Sequence, residues 1–379
     1  MKRTLSIRDF SIGAALLCIW VFFAFHPRTA GVFLTPRNLS NLSIEFAVRA
    51  SLALGMLVVL LPGMIDLSAG SGVGMIGGIA AVLIFHHGWS APAAMGVGFL
   101  VGMVVWSGMG YLISSKKMPA FIITLGGMMA FKGLFWRIIG CETVPVTAGN
   151  SENLISLLTT YSLPRGVGLA LWGAVSLAVI WAIASQRRRR RAYGFEVEPW
   201  QISYLKGLIF IQIALLFTVT MNRFRGIPLA MVVLGLVAVF IYVLTRHTPF
   251  GRYLYAIGGN EEAAVLSGVS VLKVTTCAFL VQGVIVALAG FMQTAYAGAS
   301  TTTVGEGMEL DAIAACVIGG TSLTGGRGNV LGVLAGSLIM VSLLNGMVLM
   351  TLPQQDRFVA RGVVLVLAVW MDLYLSRRK

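Results

Sequence analysis

Charge is scarce in this sequence. Of 379 residues only 11% are Asp, Glu, Lys or Arg, with 14 acids against 28 bases. Hydrophobic residues make up 57%, and mean hydropathy is +0.87. A soluble chain of this length needs far more polar surface to cover its core. The shortage excludes a soluble globular protein and points to an integral membrane protein, whose cover is lipid. Cysteine is scarce too. Cys18, Cys141, Cys277 and Cys316 show no CxxC or metal-like spacing; three lie in apolar stretches and read as small hydrophobes. No GxxxxGK[ST] occurs, which excludes nucleotide binding through a P-loop, and neither HExxH nor GxSxG occurs. The histidines, His26, His86, His87 and His247, stand near the ends of apolar runs and read as interfacial. No catalytic residue, metal or cofactor is expected. Few ionisable residues lie in the apolar runs; those that draw notice are Lys132, Asp66 at one edge, and Glu309 and Asp311 near another. An ion-coupled carrier needs carboxylates committed inside its helices, so this scarcity weighs against a stand-alone secondary carrier.

What the chain does have is apolar length. Twelve runs are candidate spans: 11–26, 44–62, 71–87, 92–113, 119–139, 167–184, 204–221, 227–244, 273–292, 308–321, 330–350 and 359–375. Several are short for a span of ~20 residues, and 308–321 suits a re-entrant or half-helix. The expected fold is all-α and polytopic, with about ten to twelve membrane helices. The net charge of +14 gathers in alternate short loops. With the N-terminus inside, 18 of the 28 bases fall on the cytoplasmic side. They are Lys2, Arg3, Arg8, Lys116, Lys117, Arg187 to Arg191, Lys206, Arg246, Arg252, Lys273, Arg327, Arg377, Arg378 and Lys379. That bias puts both termini in the cytoplasm and makes the charge a matter of topology rather than nucleic-acid binding. The five-arginine run is the strongest anchor. The first run has a basic leader but no small-x-small site after it, and reads as a retained helix. A polar loop at 140–166, containing CETVPVTAGNSEN, falls outside, where it can meet a partner.

Two distant stretches echo one another: GMIDLSAGSGVG from Gly63 and GGTSLTGGRGNV from Gly319. Each follows an apolar run and leads into a glycine ladder, Gly70, Gly74 and Gly78 in one and Gly328, Gly332 and Gly336 in the other. Such ladders let helix backbones pack closely in lipid. The expectation is two pseudo-repeated bundles, with broken or Gly-interrupted segments near a transport path. Polar groups at those breaks, Asp66, Ser68, Thr321, Ser322 and Asn345, are the candidate path residues, with caps or interhelical glue as the competing reading.

A second feature is AIGGNEEAAVLSGV, Ala256 to Val269, set between very apolar runs. Asn260 can cap a helix, Glu261 and Glu262 suit its first turn, and Gly268 can end it. A plain connector needs no exposed Ala263, Ala264 and Leu266, so the segment reads as a docking helix for a soluble motor.

These motifs resemble a family. GRYLYAIGGNEEAAVLSGV is similar to the coupling segment of sugar-type ABC importer permeases. ELDAIAACVIGGTSLTGGRGNVLG from Glu309, GMIDLSAGS near Gly63 and KMPAFIITLGGMMAFKG from Lys117 fit the same family, in order, from about residue 35 to the end. Lys132 stands where relatives tend to carry Arg. The insertion after residue 185 and the ending LVLAVWMD are features of the xylose-type members. The resemblance implies one membrane domain. Its parts are a first half (1–185), a basic run with two additional spans (186–245), a cytoplasmic coupling loop (246–272) and a second half (273–379). It further implies docking of a cytoplasmic ATPase at Gly258, Gly259, Asn260, Glu261, Glu262, Ala263, Ala264, Leu266, Ser267 and Gly268, a periplasmic sugar-binding protein, a second permease copy, and residence in a bacterial inner membrane. D-xylose is the substrate it implies, with ribose or galactose as alternatives. The other classes weighed are a secondary sugar carrier and a membrane enzyme or assembly protein.

Overall fold

The structure, a computed structural model, describes residues 7–147, 152–197 and 199–376. Lys2, Arg3, Arg377, Arg378 and Lys379, and positions 148–151 of the polar loop, lie outside the described residues. The chain is helical almost throughout. In order it forms α1 (Ile7–Phe25), α2 (Pro36–Leu60), α3 (Ala69–Phe85), α4 (Ala91–Ser115), α5 (Ala120–Ile138), β1 (Val144–Pro145), α6 (Leu154–Thr160), α7 (Arg165–Ala192) and α8 (Trp200–Asn222). There follow α9 (Leu229–His247), α10 (Pro249–Gly259), α11 (Glu261–Leu266), α12 (Val271–Ala297), β2 (Ala299–Ser300), α13 (Met308–Ile318), α14 (Val330–Leu349) and α15 (Gln354–Ser376). Starts follow the usual chemistry: Thr35 accepts from the Asn38 amide ahead of Pro36, and Asn153 and Ser156 form a reciprocal capping box on α6.

Among the described residues, eight helices are long and apolar enough to cross a membrane: α2, α4, α5, α7, α8, α9, α12 and α14. Ile12–Phe25 in α1 and α3 are shorter apolar segments. The protein is therefore a polytopic all-α membrane protein. The run 308–321 is an 11-residue helix, α13, too short to span. The five arginines lie on no loop; they extend α7 to Ala192.

Burial concentrates on α2, whose residues from Ala47 to Leu61 are mostly shut off from the surface. Around it pack α9, α12, α13 and α14, while α12 also packs along α3 and α4. Glycines permit the approach. Gly102 of α4 and Gly283 of α12 each sit on the other's backbone carbonyl, where a Cβ would collide. Of the two runs taken as additional spans, 227–244 (α9) belongs to this core. The peripheral pair is α7 with α8, which pack chiefly on one another and leave most of their length exposed.

Two interruptions shape the centre. After α2 the chain turns at 61–63, has no regular structure through 64–66 and turns again at 67–68 before α3 begins. After α12 it pairs β2 antiparallel with β1, loops through 301–307, and begins α13. The second loop meets the start of α3: Gly305 fits against the carbonyl of Gly70 and the amide of Gly74, and Val304 lies beside Gly74. The ladder Gly70, Gly74, Gly78 thus receives the loop before α13 and the ring of Phe135 from α5. Gly332 and Gly336 receive the α13 end at Gly319 and Ala315.

Candidate functional site

The segment 249–266 is two helices, α10 and α11, joined at Asn260. Thr248 caps α10 by accepting from the Gly251 amide at 3.2 Å. Asn260 closes α10 and caps α11, its Oδ1 accepting from the Ala263 amide at 2.9 Å. Glu261 and Glu262 occupy the first turn, where the dipole favours them. Gly268, at φ +83°, turns the chain out of the helix towards α12. Ala264 is buried, whereas Glu261, Glu262, Ala263, Ser267 and Gly268 are exposed and Leu266 is 90% exposed. Gly258 and Gly259 are not in a loop: they form the last turn of α10.

What α10 rests on matters more. Gly258 lies directly on the carbonyl of Leu61 and on Gly325 and Gly326. The Gly326 amide donates to Leu61 O at 2.9 Å, and Gly63 faces Thr324 O. Gly63 and Gly326 both have positive φ, +85° and +73°, open to glycine without cost. Tyr255 donates from its hydroxyl to Gly328 O at 2.8 Å, with the Arg246 guanidinium over its ring. Burial raises the Tyr255 phenol above its usual range, against a smaller opposite pull from Arg246, so it stays a donor. The two echoing motifs therefore touch each other, and α10 seals their junction.

The five polar candidates are all brought inside, in three separate places. Asp66 and Ser68 are fully buried. The Asp66 carboxylate accepts from the Ser68 amide and hydroxyl at 2.9 and 2.6 Å, from Trp106 Nε1 at 2.8 Å and from Gln282 Nε2 at 3.1 Å. Trp106 and Gln282 sit near the midpoints of α4 and α12, so the non-helical segment 64–66 carries Asp66 to the middle of the bundle. Thr321 and Ser322 lie in the turn between α13 and α14. Ser322 donates its amide to Arg327 O, and its hydroxyl meets that of Thr324 at 2.8 Å. Asn345 pairs with Asn38 through both amide groups, at 2.9 and 3.3 Å, joining α14 to α2.

One constellation escaped the reading of the sequence. Arg49 of α2 is paired with Glu45 one turn earlier at 3.1 Å and with Asp311 of α13, and Arg361 of α15 stands 3.5 Å from the same Asp311. All are largely buried, Asp311 almost wholly. Two cations on one carboxylate, with a second carboxylate beside them, make a balanced cluster that ties three helices together. The signal was present: Glu45 and Arg49 are charges four residues apart at the start of an apolar run.

Fold and site define a multi-pass α-helical membrane permease, with an exposed helical corner that leans on two interrupted segments. The chain belongs to the family described as "Branched-chain amino acid transport system / permease component", whose model matches residues 38–369. It is 37% identical over 377 residues to the xylose transport system permease protein XylH of Escherichia coli K12, covering 99% of this chain and 94% of the relative. It is 37% identical to the Haemophilus influenzae protein of that name, covering 98% and 97%. It is 34% identical to the ribose import permease protein RbsC of Bacillus subtilis, covering 90% and 86%. No solved structure matches the chain.

Proposed function

We propose that this chain is the membrane subunit of an ATP-driven ABC importer that carries a monosaccharide, D-xylose in the first instance, across the bacterial inner membrane. The observation that carries the reading is the placement of α10 and α11. A rigid corner with Leu266 almost fully exposed rests through Gly258 on the point where segments 61–63 and 324–326 meet. A push on that corner moves two interrupted elements at once, which is what a separate motor has to do. Similarity to xylose permeases along nearly the whole chain supports the sugar; ribose or galactose is the alternative. The subunit itself hydrolyses nothing. In this reading the ATPase docks on residues 258–268 from the cytoplasm, where both termini also lie. A periplasmic binding protein delivers sugar to the opposite face, and a second copy of the chain completes the path. Asp66, Ser68, Thr321 and Ser322 act on that path by bracing the broken segments that border it, whereas Asn345, which lies within the unbroken α14 and not at a break, ties α14 to α2 through Asn38.

Reconstitution tests the reading. The chain is placed in vesicles with its ATPase and a pentose-binding protein, and uptake of labelled D-xylose is followed. Uptake should need ATP and both partners. Reversing both charges, Glu261→Lys with Glu262→Lys, should leave the ATPase active yet cut uptake severely. Uptake without ATP would restore the secondary carrier, and uptake of another sugar alone would replace xylose.

A further inference from the structure

The five polar residues first associated with the path are buried, Asp66 bonded to Ser68, Ser322 to Thr324 and Asn345 to Asn38, so a passing sugar meets none of them in this conformation. A different polar group does face outwards. Lys132 of α5 and Glu306 of the loop before α13 stand 3.6 Å apart, with their side chains 42% and 40% exposed. Lys132 Nζ also lies 5.4 Å from the centre of the Trp136 ring, and Trp136 donates from Nε1 to Thr302 O at 3.3 Å. The hydroxyls of Thr301 and Thr303 meet at 3.2 Å on the same loop. Beside Lys132, Gly133 has open space where a side chain would be.

The surroundings make this pair odd. Lys132 lies six positions before the end of α5 at Ile138, so it sits ~9 Å inside the helix terminus. Most of the remaining exposed side chains of α5 are apolar, Phe121, Ile122, Leu125, Met129 and Leu134 among them, with Arg137 exposed beside the helix end. A lysine so placed can extend to the membrane surface, but this one stays with Glu306, and a glutamate has no long stem to extend. An ion pair on a lipid-facing surface is costly, and ionisable groups within spans face water-filled or protein-lined space.

Resting on the importer reading above, we propose that the face made by α5 and residues 301–306 lines the water-filled sugar path, and that Lys132, Glu306 and Trp136 are its sugar contacts. The chemistry suits a neutral pentose. The indole presents an apolar plane to the C–H face of a pyranose ring. The ammonium only donates and the carboxylate only accepts, while each sugar hydroxyl does both and can bridge them. The half-exposed, one-sided arrangement holds the ligand weakly, as a path requires, since what passes must also leave.

The test uses the complete importer in vesicles, with labelled D-xylose as the probe. Trp136→Ala, Glu306→Gln and Lys132→Met should each slow uptake about tenfold or more, while binding-protein-stimulated ATP hydrolysis continues. Trp136→Phe should keep most of the uptake. The exchange Lys132→Glu with Glu306→Lys restores an ion pair but reverses donor and acceptor, and uptake should stay low. Wild-type uptake in that exchange variant would make the pair a structural clasp and overturn the proposal. Unchanged uptake in the single variants, or equal loss of ATP hydrolysis and uptake, would overturn it as well. If the unaltered importer shows no ATP-driven uptake at all, the importer reading fails first and this assignment goes with it.

Discussion

At the scale of single residues, the strongest commitments are the buried charges. Asp311 is shared by Arg49 and Arg361, and Glu45 balances the count. Removing one member of a buried pair leaves a charge without compensation, which costs about 3–5 kcal/mol. Asp311→Ala should therefore lower the resistance of the purified protein to denaturant by that order, read from an unfolding titration in mixed micelles. Leu310→Ala, one position away on an exposed face, should cost far less, since it truncates a side chain that is only partly packed. Equal losses in the two variants would mean that the cluster adds no stability of its own. Half of this cluster was legible: Glu45 and Arg49 stand one helical turn apart in an apolar run. Their partner Asp311 lies 262 positions away, and no local pattern announces a contact of that range.

At the scale of elements, α10 is the part whose position matters most. Its last two residues are both glycine, and the sequence treats them alike. Their neighbours do not. Gly258 is pressed against Leu61 O and the Gly325–Gly326 turn, whereas a Cβ on Gly259 would meet nothing. Gly258→Ala should push α10 off the junction, so that ATP hydrolysis in the reconstituted importer continues while sugar uptake falls about tenfold. Gly259→Ala should behave as the unaltered chain, or gain slightly from helix propensity. Identical behaviour in the two would remove α10 from the route between motor and path. The helix α11, its Asn260 cap and its Gly268 exit were readable because capping is local chemistry, whereas the sequence reads α10 before it as loop. The segment's seat on both interrupted motifs was not. The echo between Gly63 and Gly319 suggested kinship between the two stretches, but resemblance carries no information about contact. The second break was partly readable, since 308–321 suits a half-helix, but its ends were not. The run 308–321 carries enough apolar residues to suggest a span. The left-handed Gly307 at its start and the Gly319–Gly320 turn at its end stop it at 11 residues.

At the scale of the whole molecule, the question is which way the bundle faces. Composition alone places the chain in a bilayer, and the apolar runs come close to the observed long helices, but they mistake which pair is peripheral and miss α10. Run lengths identify α7, α8 and α9 equally well, yet packing puts α9 in the core and leaves α7 and α8 at its rim. Orientation rests on the basic residues alone. Arg187 to Arg191 end α7, and Arg246 and Arg252 flank the start of α10, so α11 should lie on the cytoplasmic side. Cys141 follows the other end of α5, next to β1, and should lie outside. Both are exposed, which makes them usable reporters. In a background with Cys18, Cys277 and Cys316 changed to alanine, Cys141 should react with a membrane-impermeant thiol reagent in intact cells whose outer membrane has been permeabilised. With Cys141 also removed, Leu266→Cys should react only in inside-out vesicles. The opposite pattern would place α11 away from any cytoplasmic ATPase. The five arginines would then be an anchor on the wrong side, and the motor-docking role of α10 and α11 would have to be abandoned. The bundle itself would stand, because its packing depends on glycine contacts and buried charge, not on which compartment it faces.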